Sequence, residues 1–167
     1  MFDVLTSPDF FHSGNIIHGL VHPSRIVIGK EADKHAYEAA VLLKKLYTWV
    51  PEDRILLTDT WSAELGRLAT NALLTQQRAI VHALSTLCTE TGASGLDVFK
   101  IIAADLRVAI RPCPGFLSDT AEYNDESVLQ RDIEHLVYLS NSCGLPRIAE
   151  FWAFLMQNRD ARNFFGP

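Results

Sequence analysis

Residues 59–92 read DTWSAELGRLATNALLTQQRAIVHALSTLCTETG, a stretch with no proline and, before Gly92, no glycine except Gly66. Its reading decides the fold. Asp59 or Thr60 can cap a helix N-terminus by accepting a backbone N–H, and Gly92 suits the left-handed position that closes a helix. Between them Leu65, Leu68, Ala69, Ala72, Ala79, Ile80, Ala83, Leu84 and Leu87 recur as an apolar stripe. The expectation is one very long helix over about 60–91, roughly 48 Å from end to end at about 1.5 Å per residue. Such a rod outruns the core that a chain of this size can build. Burying the remainder calls for a partner surface, and a second copy of the chain supplies one by symmetry.

Working outward from that rod, the C-terminal side continues as helices. Ser94-x-x-Asp97 resembles a capping box ahead of Val98, Phe99, Ile101 and Ile102, a helix expected to end near Arg107. Residues 112–126, from the Pro112-Cys113-Pro114-Gly115-Phe116 run through LSDTAEYNDE, cannot be regular helix at their start and read as a mobile exposed loop. Ser127-x-x-Gln130 then offers a cap for a helix over Val128 to Ser142, closed by Gly144, and Pro146 suits the first turn of a last helix carrying Ile148, Phe151, Trp152 and Leu155.

On the N-terminal side, Ala36, Ala39, Ala40, Leu43 and Leu46 repeat at helical spacing between Glu31 and Tyr47, and Pro51 ends that helix. Arg54 to Thr58 is short and apolar, open to a strand reading. Residues 1–30 carry Pro8, Gly14, Gly19, Pro23 and Gly29, with apolar pieces at Phe2–Leu5 and Arg25–Ile28. They suit turns and brief strands better than long helices. The fold class expected is therefore mainly α: a single domain over 1–167, with a short irregular or β segment (1–30) leading into a helical core (31–167).

Composition narrows the function. The chain has 167 residues, 48% of them apolar, and a formal net charge of −5 with 15 basic residues scattered along it. No basic patch forms to meet phosphate backbones, so nucleic acid is not an expected partner. No apolar run reaches the roughly 20 residues that span a bilayer, and no secretory leader pattern opens the chain. Membrane is not an expected partner either. The three cysteines, Cys88, Cys113 and Cys143, make no C-x-x-C pair. An odd number of them fits reduced thiols, and cytoplasm is the expected address.

Several strings of residues carry a family resemblance. Phe2 to Phe11 (FDVLTSPDFF) is similar to the FxVLSNPEF segment of UDP-glucose 6-dehydrogenases, and Pro23 to Gly29 (PSRIVIG) to NPDRVLIG. Ile55 to Ala72 (ILLTDTWSAELGRLATNA) resembles ILxTNTWSSELSKLAANA, Leu87 to Ala93 (LCTETGA) resembles LCEATGA, and Leu136–Leu139 with Leu145-Pro146, Ala149, Phe151 and Trp152 resembles LVYLC...LNLPEVARYW. The resemblance implies the helical central domain of that family, of the kind found in 6-phosphogluconate dehydrogenase, which dimerises between an N-terminal NAD domain and a C-terminal UDP-sugar domain. This sequence is expected to begin where the first ends and to stop before the third, although Met1 and the terminal Gly166-Pro167 suit a self-contained chain. No G-x-G-x-x-G lies between a strand and a helix, so no seat for NAD is evident and no cofactor is expected.

The same resemblance assigns candidate site residues. The family's nucleophilic cysteine sits in GFGGSCFQKD; here Gly115-Phe116 is followed by Leu-Ser-Asp-Thr, and no cysteine occupies the motif. Cys113, between two prolines on the other side of that Gly-Phe pair, reads as a loop or core thiol. The family's active-site lysine falls on Arg67, which keeps the charge but cannot exchange protons at neutral pH. Its NPEF glutamate falls on Asp9, its QKD aspartate on Asp132, and Asn71 stands one helical turn beyond Arg67. Arg67, Asn71, Asp132 and Asp9 are thus the catalytic candidates, and Arg107, matching an arginine that reaches the partner's sugar site, and Phe116 are the substrate-binding ones. Arg67 with Asp132 is equally the pattern of a plain buried or interface ion pair.

Histidines and aromatics weigh less. His12, His18 and His22 are read as solvated loop residues whose spacing places no pair on one helix face, and no metal is expected. His82 and His135 read as surface or boundary residues, and Trp61, Trp152, Phe151 and Phe154 as core or dimer anchors.

Three functional expectations follow. The first is a catalytically degenerate relative of UDP-glucose 6-dehydrogenase, without NAD-dependent oxidation of its own, that persists as a homodimer through the long helix with a remodelled pocket for a small molecule. The second is a repurposed non-redox enzyme, an isomerase, cyclase or lyase using Arg67, Asn71, Asp9 and Asp132. The third is an interaction module that pairs with a full-length UDP-glucose dehydrogenase.

Overall fold

A computed structural model describes residues 3–10, 16–108 and 126–157 of the chain. In chain order the elements are β1 (Leu5–Thr6), α1 (Ile16–Val21), β2 (Ile26–Lys30), α2 (Lys34–Leu46), β3 (Ile55–Asp59), α3 (Thr60–Thr91), α4 (Gly95–Ala104), α5 (Glu126–Ser142) and α6 (Pro146–Gln157), with a short 3₁₀ turn at Glu52–Arg54 before β3. The fold is mainly helical, with a small sheet and one very long helix. Within the chain two compact units can be described, Met1–Thr70 and Asn71–Pro167.

The first unit is built on a three-stranded sheet of order β1-β2-β3. β2 pairs parallel with β3, Ile26 opposite Ile55 through Lys30 opposite Asp59, and antiparallel with β1, Leu5 opposite Lys30. Parallel neighbours need a crossover, and α2 provides it. Asp33 caps α2, its carboxylate accepting the Ala36 N–H at 2.9 Å. Ala36 and Ala40, one turn apart, are the buried residues of α2, and small side chains there let the helix approach the sheet closely. Ile28, Ala40, Val50 and Ile55 form the buried cluster, with Leu5, Ile26, Leu43, Tyr47 and Leu57 packed around it. Burying a side chain such as Ile28, which is fully inaccessible, stabilises by roughly 1.5–3 kcal/mol.

Gly29 shows how tightly β2 meets the start of α3. A Cβ built there would run into the Thr6 methyl, come within 2.8 Å of the Ala63 Cβ and 3.0 Å of the Thr60 Cα. Only a residue without a side chain fits that crossing.

The second unit contains the rest of α3 with α4, α5 and α6. α5 and α6 pack against each other across the short turn Cys143–Leu145, and Leu129, Ile133, Leu136, Ala149 and Leu155 are buried. Both left-handed glycines foreseen as helix closers are found, Gly92 at φ +72° and Gly144 at φ +71°. Ser94 caps α4 as expected, accepting the Asp97 N–H at 3.3 Å.

Two helix limits differ from the sequence reading. α4 ends at Ala104, three residues short of Arg107, because Asp105 turns extended (ψ 111°) and accepts both the Arg107 N–H and its guanidinium. α5 already includes Glu126 and Ser127, so Ser127 is not its cap. Phe116, Cys113 and all of the loop 112–126 except its last residue lie outside the described residues. Trp61 is not a core residue, being 72% exposed. Among the described residues no helix is long and apolar enough to cross a membrane.

Candidate functional site

The candidate residues fall in both units. In the first, the segment after β1, the end of α1, the start of β2 and the residues after α2 surround a cleft of about 620 Å³. Ser7, Pro8, Asp9 and Phe10 come from the first of these, Leu20, Val21 and Pro23 from the second, Arg25 and Ile26 from the third, Tyr47 and Trp49 from the last. The walls are mostly apolar and the polar groups few, as in small-molecule sites generally. Tyr47 and Trp49 present a tilted ring pair with centroids 5.6 Å apart. Asp9, named from the sequence as a catalytic candidate, contributes a carboxylate to this lining.

Arg25 is the cation of the cleft and was not legible as a site residue, since nothing but its place between Pro23 and the strand marks it. Its guanidinium lies 3.7 Å from the centre of the Phe10 ring, a close cation–π contact. It also reaches the Thr70 hydroxyl at 3.4 Å. Partial burial pulls its pKa below the ordinary arginine value, though an arginine stays charged at neutral pH all the same. Beside the cleft residues, the Thr6 hydroxyl donates to the Glu64 carboxylate, tying β1 to the first turns of α3.

Arg67 is half-buried on α3 and has interactions of its own. The second unit joins two other candidates. The Asn71 side-chain amide donates to Asp132 Oδ2 at 2.6 Å, and Asp132 is wholly inaccessible to solvent. An amide and a carboxylate brought together from α3 and α5 can serve as a polar clamp between helices. The same carboxylate, as a proton donor or acceptor, would have to be reached by a ligand. Arg107, foreseen as reaching a partner's site, pairs within this chain with Asp105, two residues earlier. Nε lies 2.9 Å and 3.1 Å from the two carboxylate oxygens, and a terminal nitrogen 2.5 Å from one of them. The pair holds Asp105 below the usual carboxylate range and Arg107 above the usual arginine value.

The histidine reading needs correction. His18 lies on α1 and His22, four residues on, just past its end: the His22 N–H bonds to the His18 carbonyl at 2.7 Å, and the ring centroids stand 4.9 Å apart. The N-terminal stretch, dense in glycine and proline, hides a six-residue helix from periodicity, which needs about three turns to register. His12 lies outside the described residues. Among the described residues no group of three or more His, Cys, Asp or Glu gathers in a form that could hold a metal ion.

Comparison with known proteins agrees with this architecture. Residues 61–158 match the model of the UDP-glucose/GDP-mannose dehydrogenase family, central domain. UDP-glucose 6-dehydrogenase 3 of Arabidopsis thaliana is 39% identical over 160 residues, which cover 95% of this chain and 32% of that protein. UDP-glucose 6-dehydrogenase 1 of Glycine max matches to the same extent. A solved UDP-glucose dehydrogenase from the hyperthermophilic archaeon Pyrobaculum islandicum shares the fold, with a TM-score of 0.70 at 23% identity, over 93% of this chain and 34% of that one. The chain belongs to the UDP-glucose/GDP-mannose dehydrogenase family and corresponds to its central domain. It spans about a third of the length of the curated relatives it matches.

Proposed function

We propose that this chain is a catalytically degenerate central domain, which does not by itself oxidise UDP-glucose with NAD. One observation carries the reading: after Gly115-Phe116 the sequence runs Leu117-Ser118-Asp119-Thr120, with no thiol where the family motif places its nucleophile. A thioester route needs a sulfur to trap the aldehyde, and hydroxyl or carboxylate side chains do not replace a thiolate in that step. Arginine at position 67, where the family motif has a lysine able to exchange protons, supports the same conclusion. Asp132 is buried and accepts a hydrogen bond from Asn71. That burial weighs against the repurposed acid/base enzyme, which asks Asp132 to exchange protons with a ligand.

The test is a coupled measurement of NADH formation on the tag-free chain with UDP-glucose and NAD, beside a full-length dehydrogenase as positive control. The expected result is no absorbance rise above buffer. Turnover on the order of 1 s⁻¹, an ordinary enzyme rate, would reverse the conclusion.

A second reading is that the chain pairs with another copy, or with the central domain of a full-length relative, through α3. The supporting observation lies in the second unit. Leu73, Ile80 and Leu87, seven residues apart, are 59%, 45% and 58% exposed. A heptad repeat of apolar side chains drifts only about 20° per step around a helix, so it forms a seam a second helix can cover. Membership of a dehydrogenase complex in the cytoplasm is part of this reading.

A further inference from the structure

We propose that His18 and His22 form a two-imidazole site for a transition-metal dication of the nickel, copper or zinc type. The pair lies on α1 and the turn that follows it, and the helical hydrogen bond from the His22 N–H to the His18 carbonyl sets the spacing at one turn. Residues four apart in a helix carry their Cβ atoms about 5–6 Å from each other, which is the reach at which two imidazoles can meet one ion.

The ring positions give a more demanding check. With metal–nitrogen bonds of roughly 2.0–2.1 Å, two imidazoles on one ion at an angle between square and tetrahedral hold their ring centres roughly 4.5–5.2 Å apart. The observed separation is 4.9 Å, with the ring planes at 54°. The separation falls within that range, so the two rings can approach one ion from the positions they already hold on the chain. Both side chains are exposed, so an ion can reach them and complete its shell with water. Imidazole nitrogen selects borderline metals over magnesium or calcium, which prefer oxygen.

The site has a structural consequence. α1 is six residues long and leaves Ile16, Ile17, Leu20 and Val21 about half or more exposed. So short a helix is marginal by itself, and an ion bridging His18 and His22 ties its last turn to the residue that follows. Leu20 and Val21 are walls of the cleft that also holds Asp9 and Arg25. Metal occupancy therefore fixes one side of that cleft.

The experiment is calorimetric titration of the tag-free, metal-stripped chain with NiCl2 and ZnCl2, and with MgCl2 as a hard-cation control. One equivalent of nickel or zinc is expected to bind, and His18→Gln and His22→Gln are each expected to weaken binding at least tenfold while His35→Gln leaves it unchanged. Amide exchange over residues 16–22 is expected to slow when zinc is present. No binding to the parent chain, unchanged binding in His22→Gln, or magnesium binding as tightly as nickel would each overturn the assignment. Both histidines are exposed, so their variants keep the far-ultraviolet spectrum of the parent, and a lost site is distinguished from a lost fold.

Discussion

The Asn71 side-chain amide donates a 2.6 Å hydrogen bond to Asp132, across 61 residues of sequence, and Asp132 has no solvent contact. The bond ties α3 to α5 within the second unit. Removing one partner of a buried hydrogen bond exposes the cost of the other's desolvation, about 1–3 kcal/mol. Asn71→Ala is therefore expected to lower the urea midpoint by an equivalent amount, and Asn71→Asp, which sets two carboxylates face to face, to lower it further. Equal stability of Asn71→Ala and the parent would show the pair to be incidental.

Gly29 sits where β2, Thr6 and the start of α3 converge, and a methyl added there meets Ala63 at 2.8 Å. Overpacking a close crossing costs about 1–3 kcal/mol. Gly29→Ala is expected to destabilise by that amount and Gly29→Val by more. A thermal melt in which Gly29→Ala matches the parent would contradict the crossing.

Asp59 accepts the Ser62 N–H at 2.8 Å at the start of α3. Hydrogen bonds from the Ser62 side chain and backbone hold its carboxyl below the ordinary Asp value. Since the folded pKa lies below the unfolded one of about 3.9, the stabilisation is complete above that pH and disappears as the pH falls through the folded pKa. Carboxyl ¹³C titration is expected to place Asp59 below a normal aspartate, and Ser62→Ala to move it upward. An Asp59 midpoint unaffected by Ser62→Ala would remove the cap from the account.

The exposed seam of Leu73, Ile80 and Leu87 predicts a self-association that depends on those side chains. Light scattering at micromolar concentration is expected to report a dimer for the parent and a monomer for the Ile80→Asp, Leu87→Asp double variant. A parent chain that stays monomeric throughout would dismiss the pairing through α3.

Much of the fold was legible because helix termini are local events. Asp59 ahead of the long run, Gly92 and Gly144 behind their helices, Ser94 before α4 and Pro146 opening α6 each act on backbone groups within four residues. Ser127 misled because a serine three residues before a glutamine has the pattern of a cap whether or not the helix has already begun. Of the candidate site, Asn71 and Asp132 came from family likeness, and periodicity alone gave no reason to pair them. Arg25, Tyr47 and Trp49 carried no signal, since a cleft wall is assembled from residues distant in sequence.

What the sequence determined by itself is the helical rod over Thr60–Thr91, its neighbours' ends, and the absence of a thiol after Gly115-Phe116. Only the tertiary structure decided that Ile26–Lys30 pairs parallel with Ile55–Asp59 and that Asp132 is sealed beneath Asn71. It also decided that Leu68 and Ala72 of the apolar stripe are buried while Ile80 and Leu87 stay open to solvent. Capping and turn chemistry act through the nearest backbone groups and so are written in adjacent residues. Strand pairing and burial depend on which distant surfaces come together, and a stripe of leucines reads the same whether it faces a core or water.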